Sequence, residues 1–323
     1  MHRLPAVTGA LLLLFLPAIP ADGWAQGLPA FAPLNPVASS RTGLYFQPYR
    51  GPSPGGWAAT LALDYASVIE LNETSAADYV LDSEILRLGL GLSRDLGSGA
   101  FLELGASAGG IYPGFLDGFL DWYHDGLGIR VGERERRPRD NFLYRITLPD
   151  GRTVSRKRSG LFLRDVRAGL GVRLTPRLQT LVSVTLPTSS GPEGYGRGVP
   201  SIGLLNTLRV SLKSDLVYEG SLGLGLTPKH GALRDLQRTT MAALSSGLRY
   251  RFVGSHSLYA NVFYHSSYYS NTSFPALDRR ELSLDFGWLV EPRGGGEWRL
   301  GITEDLEPGG PGVDLVLRVG RTF

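Results

Sequence analysis

The sequence predicts an all-β protein, a transmembrane antiparallel up-and-down β-barrel of about twelve strands with one amphipathic helix in a long loop. Three observations carry that expectation. The chain starts like an exported protein, a two-residue alternation of apolar and polar residues recurs along it, and its connections switch between tight turns and long polar loops.

Met1-His2-Arg3 precedes an apolar run from Leu4 to Ile19, interrupted by Pro17 and Pro20, and small residues lead to Ala25. A short basic start and an apolar core too brief to span a bilayer describe a signal peptide over residues 1–25, cleaved near Ala25. The absence of cysteine excludes a lipoprotein anchor, a disulfide framework and a thiolate metal site together. A net charge of +3, with acids and bases interspersed, gives no field that argues for nucleic acid. Glycine (43 residues) disfavours helices, tyrosine (14) suits strands and membrane interfaces, and no later apolar run has the length of a transmembrane helix. A membrane crossing must therefore use strands.

Residues 26–56 are expected to run inside the barrel or along its periplasmic rim, and residues 57–323 to form the barrel, with an insert at 113–160. From Trp57 to Leu71 the odd positions are mostly apolar and the even ones small or charged. The same alternation recurs at Leu86–Leu92, Leu102–Ala108, Phe162–Leu174, Leu178–Leu186, Ile202–Leu212, Leu216–Leu226, Thr240–Phe252, Leu258–Tyr268, Leu282–Val290, Trp298–Ile302 and Val313–Val319. Tight links such as Thr175-Pro176 and Lys213-Ser214 alternate with longer ones such as 188–199 and 227–237, so the turns are expected on the periplasmic side.

The phase turns Asp64, Arg87, Glu103, Asp165, Arg167, Arg209, Glu219, Arg249, Asp285, Arg299 and Arg318 toward the lumen as a mixed-charge polar network. It places Trp57, Tyr250, Phe252, Trp288 and Trp298 in a turn-side aromatic girdle, and Tyr112, Phe162, Tyr264 and Tyr268 in a loop-side one. The terminal Phe323 resembles the C-terminal signal that outer-membrane proteins present to the barrel-assembly machinery, with Arg321 standing where that signal has an apolar residue.

In the insert, Phe115, Phe119 and Tyr123 recur every four residues, as do Leu116 and Leu120, which predicts an amphipathic helix ended by Gly126 and Gly128. Asp117, Asp121 and His124 share its polar side but lack a fourth ligand, so a solvated face is expected and no metal. Arg134, Arg136, Arg137 and Arg139 follow. Guanidinium matches phosphate in bidentate fashion, making these candidates for lipopolysaccharide, in competition with internal pairs to nearby acids. The stretch Gly114-Phe115-Leu116-Asp117-Gly118-Phe119, with Arg137-Pro138-Arg139-Asp140-Asn141-Phe142 and Pro33-Leu34-Asn35-Pro36, resembles an uncharacterised family of proteobacterial envelope proteins. The resemblance implies an outer-membrane barrel and brings no activity.

One constellation invites an enzymatic reading. His265 and Ser267 project to one face, and a register pairing Tyr269 with Arg279 puts Ser267 opposite Glu281. His-x-Ser on a barrel strand resembles outer-membrane phospholipase and lipid A deacylase, although Tyr268-Tyr269 replaces the residues that follow the serine there. The leading expectation is a non-enzymatic outer-membrane channel or plugged structural barrel. The alternative is a lipid hydrolase using His265, Ser267 and Glu281. No cofactor is expected, the partners are outer-membrane lipid, lipopolysaccharide and the assembly machinery, and nucleic acid is not among them.

Overall fold

The computed structural model describes residues 27–52, 56–73, 77–128, 136–156, 159–191, 195–293, 295–307 and 310–323; the expected signal peptide lies outside them. The strands are β1 (Trp57–Glu73), β2 (Asp78–Gly97), β3 (Ala100–Tyr112), β4 (Leu143–Thr147), β5 (Thr153–Arg156), β6 (Gly160–Leu163), β7 (Val166–Arg173) and β8 (Leu178–Leu186). They continue as β9 (Ser201–Ser211), β10 (Leu216–Leu226), β11 (Thr240–Val253), β12 (His256–His265), β13 (Glu281–Val290), β14 (Glu297–Asp305) and β15 (Leu315–Thr322). Each wall strand pairs antiparallel with its neighbours, and β1 pairs with both β2 and β15, which closes the sheet into a ring. Because β6 and β7 both pair with β3, they form one interrupted wall strand, and the ring has twelve positions. Closure leaves no free edge in the wall, the condition for crossing a bilayer with strands.

Alternation sets the two faces. Leu61, Leu63, Leu88, Leu90, Leu170, Leu224, Leu258 and Leu300 point outward, with Leu90 as much as 59% exposed. A soluble chain rarely tolerates so continuous an apolar surface, whereas hydrocarbon covers it without cost. Trp57, Tyr250, Phe252, Trp288 and Trp298 stand exposed near the turn end.

Two phases differ from expectation. At Arg164 and Asp165 the chain inserts a bulge between β6 and β7, and Leu161 and Leu163 become the outward residues. Phe162 therefore points inward, against Tyr195, and leaves the expected loop-side girdle. The ladder of β12 ends at His265, where Ser266 bonds Ala242 through both its backbone N–H and its hydroxyl. Beyond that point Tyr268 turns inward and is fully buried, while Tyr264 stays on the outer face.

The insert supplies two appendages. β4 and β5 form a hairpin that extends the loop end of β2. A helix, Asp117–Leu127, lies on the outside of the barrel, with Leu116 and Leu120 packed on Tyr65, Ile302 and Leu315 of β1, β14 and β15. Its first turn is tied down by Glu84 of β2, whose carboxylate accepts from the Phe115 N–H (2.9 Å) and the Leu116 N–H (2.5 Å), satisfying donors that a helix start leaves free. Phe115, Phe119 and Trp122 remain exposed as an apolar stripe on the side of the helix away from the barrel.

Candidate functional site

The lumen is filled by the chain's own N-terminal segment. Pro29, Pro33 and Pro36 interrupt the N–H row of the first leg every three or four residues, and residues 27–50 thread the ring without joining its wall. It starts at the turn end, where Leu28 packs on Tyr259 and Leu289. It rises to the loop end, where Pro36–Ser39 form one helical turn capped by Asn35, whose Oδ1 accepts from the Val37 N–H at 2.9 Å. It then descends to the turn end again, where the Tyr49 hydroxyl donates to the Thr175 carbonyl. The two legs touch each other through paired backbone hydrogen bonds between Phe31 and Phe46, both 3.0 Å.

Extended backbone without a sheet needs other partners. Guanidiniums of the wall and of the connection after β8 supply them. Arg249 donates to the Gly27 carbonyl, Arg299 to Ala30, Arg87 to Ala32, Arg173 to Arg50, and Arg197 to both Thr42 (2.6 Å) and Ser39. Gln179 clamps the descending leg, donating to the Pro48 carbonyl and accepting from the Arg50 N–H, both at 2.8 Å. At the apex the direction reverses: Arg41 of the plug donates to the carbonyls of Thr227, Pro228 and Arg238. Burial works against the Arg41 charge and lowers its pKa, and these three acceptors compensate.

Apolar contacts complete the seat. Phe31 stacks on Phe263 at 3.9 Å under the Arg318 guanidinium, and Leu44 lies against Leu181 and Leu205. The wall glycines are spaces for the plug as well: a Cβ at Gly203 would lie 2.6 Å from the Gly43 carbonyl oxygen, and one at Gly225 only 3.0 Å from Leu44 Cγ. Over the loop end, Tyr144 and Ile146 of the β4–β5 hairpin, Tyr268, Phe274, Leu277 and Leu233 close on Leu34, Val37 and Ala38 as one buried apolar cluster.

The expected lumen residues fall on the inner face. Asp64 bonds Arg87 (2.7 Å) and approaches Arg318; Asp285 pairs with Arg299; Glu103 with Arg50; Asp165 with Arg197; Arg249 with Glu291 and Glu297. Glu219 accepts from the Leu28 N–H of the plug, Arg209 is buried, and Arg167 stacks on Tyr45 of the plug at 4.6 Å. Sequence reasoning missed Arg197, Gln179 and Arg41 as plug contacts. Their signal was faint: Arg197 and Arg41 stand outside strands, and Gln179 is a single amide on the inner phase of β8.

The hydrolase geometry does not form. The β12–β13 register places His265, not Ser267, opposite Glu281, two residues away from the expected pairing. Glu281 accepts instead from the Tyr268 hydroxyl at 2.9 Å, and burial together with this carboxylate raises the Tyr268 pKa well above the phenol range. His265 is fully buried, edge-on to Phe46 at 5.2 Å, and neither of its ring nitrogens has a hydrogen-bond partner among the described residues. Its Nδ1 lies 3.8 Å from the Glu281 carboxylate, beyond hydrogen-bond distance, so the structure does not bring His265, Ser267 and Glu281 into the hydrogen-bonded relay the sequence suggested.

Arg137 and Arg139 bond Asp82 (3.2 Å) and Asp121 (2.6 Å), so these two guanidiniums brace the insert from within the chain. Arg136 is exposed, and Arg134 lies outside the described residues. Asp117 accepts from the Asp140 N–H at 2.7 Å, and no group of three metal-ligating side chains occurs among the described residues.

The family model described as "Protein of unknown function (DUF3187)" matches residues 27–322. The chain belongs to that family. No curated protein matches it. Among solved structures, this family member is similar to the COG4313 outer membrane channel from Pseudomonas putida F1, at 13% identity and a TM-score of 0.53, over 84% of this chain and 96% of that one. It is also similar to the translocator domain of autotransporter NalP from Neisseria meningitidis (12% identity, TM-score 0.45, 84% and 89% covered). A third similarity is to the NanC porin (8%, 0.46, 82% and 98%). At these identities the first likeness speaks to the fold alone.

Proposed function

We propose that this protein is a non-enzymatic outer-membrane channel held shut at rest by its own N-terminal segment, exported by a cleaved signal peptide. The observation that carries the reading is the occupied lumen: residues 27–50 pass up and down inside a twelve-position ring and are held by side-chain contacts, with one pair of backbone hydrogen bonds between the legs. A segment that shares no ladder with the wall can leave without breaking the barrel. The apolar outer belt and the fold shared with an outer-membrane channel support the location.

The chain has no cysteine, which makes the test clean. Leu44→Cys with Gly225→Cys places two thiols at bridging distance across the plug–wall contact. In planar bilayers the oxidised variant is expected to stay silent, the reduced one to show openings, and a chain lacking residues 27–50 to conduct steadily. A silent deletion variant that migrates as a folded barrel sinks the channel reading and leaves a scaffold.

A further inference from the structure

Beside the plug, the lumen keeps a cavity of about 560 Å³, within the range of sites for small solutes. It lies between the plug and the inner faces of β1, β2 and β3, and reaches the turn end beside Pro52, Trp57, Gly296 and Phe323. Charge along it is unbalanced. Each carboxylate lining it is already matched: Asp64 by Arg87 and Arg318, Glu103 by Arg50, Asp165 by Arg197, and Glu297 by Arg249. Arg164 and Arg167 are left over: neither forms an ion pair within 4 Å among the described residues, and Asp165 and Glu103, each bound to another arginine, act on them only at longer range.

Their placement follows from the fold. The bulge between β6 and β7 turns two successive side chains inward, so Arg164 and Asp165 both face the lumen, and Asp165 is taken by Arg197 at 3.1 Å. The Arg164 N–H bonds the Ser107 carbonyl, which anchors its backbone to β3, while its half-buried side chain donates no hydrogen bond among the described residues. Arg167 lies flat over Tyr45, which fixes its plane, and both its terminal nitrogens bond the neutral Gln47 amide oxygen of the plug, at 3.3 Å from Nη1 and 2.5 Å from Nη2. Gly105, Ser107 and Gly91 leave the facing wall without bulk. Guanidiniums that are positioned, partly desolvated and without a paired carboxylate form a receptor for an oxyanion, which would displace the neutral Gln47 amide from Arg167.

We propose that this cavity binds a small solute bearing carboxylate or phosphate groups, entering from the turn end and held by Arg164 and Arg167. The site stands apart from the channel reading, because binding is measured on the closed barrel in detergent. The full processed chain is titrated calorimetrically with citrate and with inorganic phosphate, and with glucose as a neutral control. Saturable binding of at least one of the two anions at one site per barrel is expected, with none for glucose. Arg164→Gln with Arg167→Gln is expected to weaken it by tenfold or more per guanidinium removed. Ser107→Asp keeps both arginines and sets a carboxylate in the anion's place, so it is expected to weaken binding similarly. Arg136→Gln, outside the barrel, is expected to leave binding unchanged. Heat-modifiable gel migration establishes that each variant is folded. Absence of saturable binding by either anion overturns the site, and so does equal affinity in the folded double variant or in Ser107→Asp.

Discussion

The two ends of the lumen are closed by different physics. At the loop end the plug's helical turn sits under a continuous apolar cluster, with Leu34, Val37 and Ala38 packed beneath Tyr144, Phe274 and Leu277, and the guanidinium contacts of Arg41 and Arg197 there are buried away from water. At the turn end the two legs are held mostly by guanidinium and amide contacts to their carbonyls, and a cavity remains beside them. Apolar packing at native density is stiff and fails only by losing volume, whereas each charged contact competes with water and salt. The plug is thus anchored at its apex and exchangeable at its feet, and motion at the turn end is expected before any at the loop end.

That contrast can be broken most directly at Phe274, which is fully buried in the loop cap. Phe274→Ala is expected to cost about 3–5 kcal/mol by urea unfolding in detergent; a loss under about 1 kcal/mol would mean the cap is not a packed core. Next comes the seat of the descending leg. Gly203→Leu drives a side chain into the Gly43 carbonyl and is expected to cost roughly 1–3 kcal/mol, read as protease cleavage within residues 27–50 of an otherwise folded barrel. A smaller effect sharpens the comparison itself. Raising salt from low to about 0.5 M is expected to speed amide exchange severalfold in 27–33 and 44–50 but not in 34–42, and uniform exchange across the plug would refute the asymmetry. The smallest effect belongs outside the barrel. Arg139 pairs with Asp121 while its side chain is 70% exposed, so Arg139→Ala is expected to change stability by less than about 1 kcal/mol in thermal unfolding.

Much of the barrel was legible because a lipid-facing strand leaves a strong record: leucines at every second position, with glycine or charge between. The strand count and the inward charges follow from that record alone. The interior was harder to read. Tyr259, Phe263, Leu181 and Leu205 stand on the polar phase of their strands, which a water-filled lumen does not need and a plug does. Pro29, Pro33 and Pro36 argue against a wall strand in the first leg but do not say where the segment goes. The phases of Phe162 and Tyr268 were out of reach for a different reason. A bulge or an early strand end shifts alternation without any local signature, since Arg164-Asp165 and Ser266-Ser267 fit a strand as well as a break. The same slip dissolved the His265, Ser267 and Glu281 arrangement, which depended on a register that only the folded β12–β13 hairpin fixes.

The outside helix touches β1, β14 and β15, and so it lies across the joint where the first and last wall strands meet. Glu84 ties its start to β2, on the far side of that joint. A ring made from one chain has only one such joint. Here a segment from the third connection is laid over it like a strap, so parting the ring at this joint would also cost the packing of Leu116 and Leu120 on Leu315.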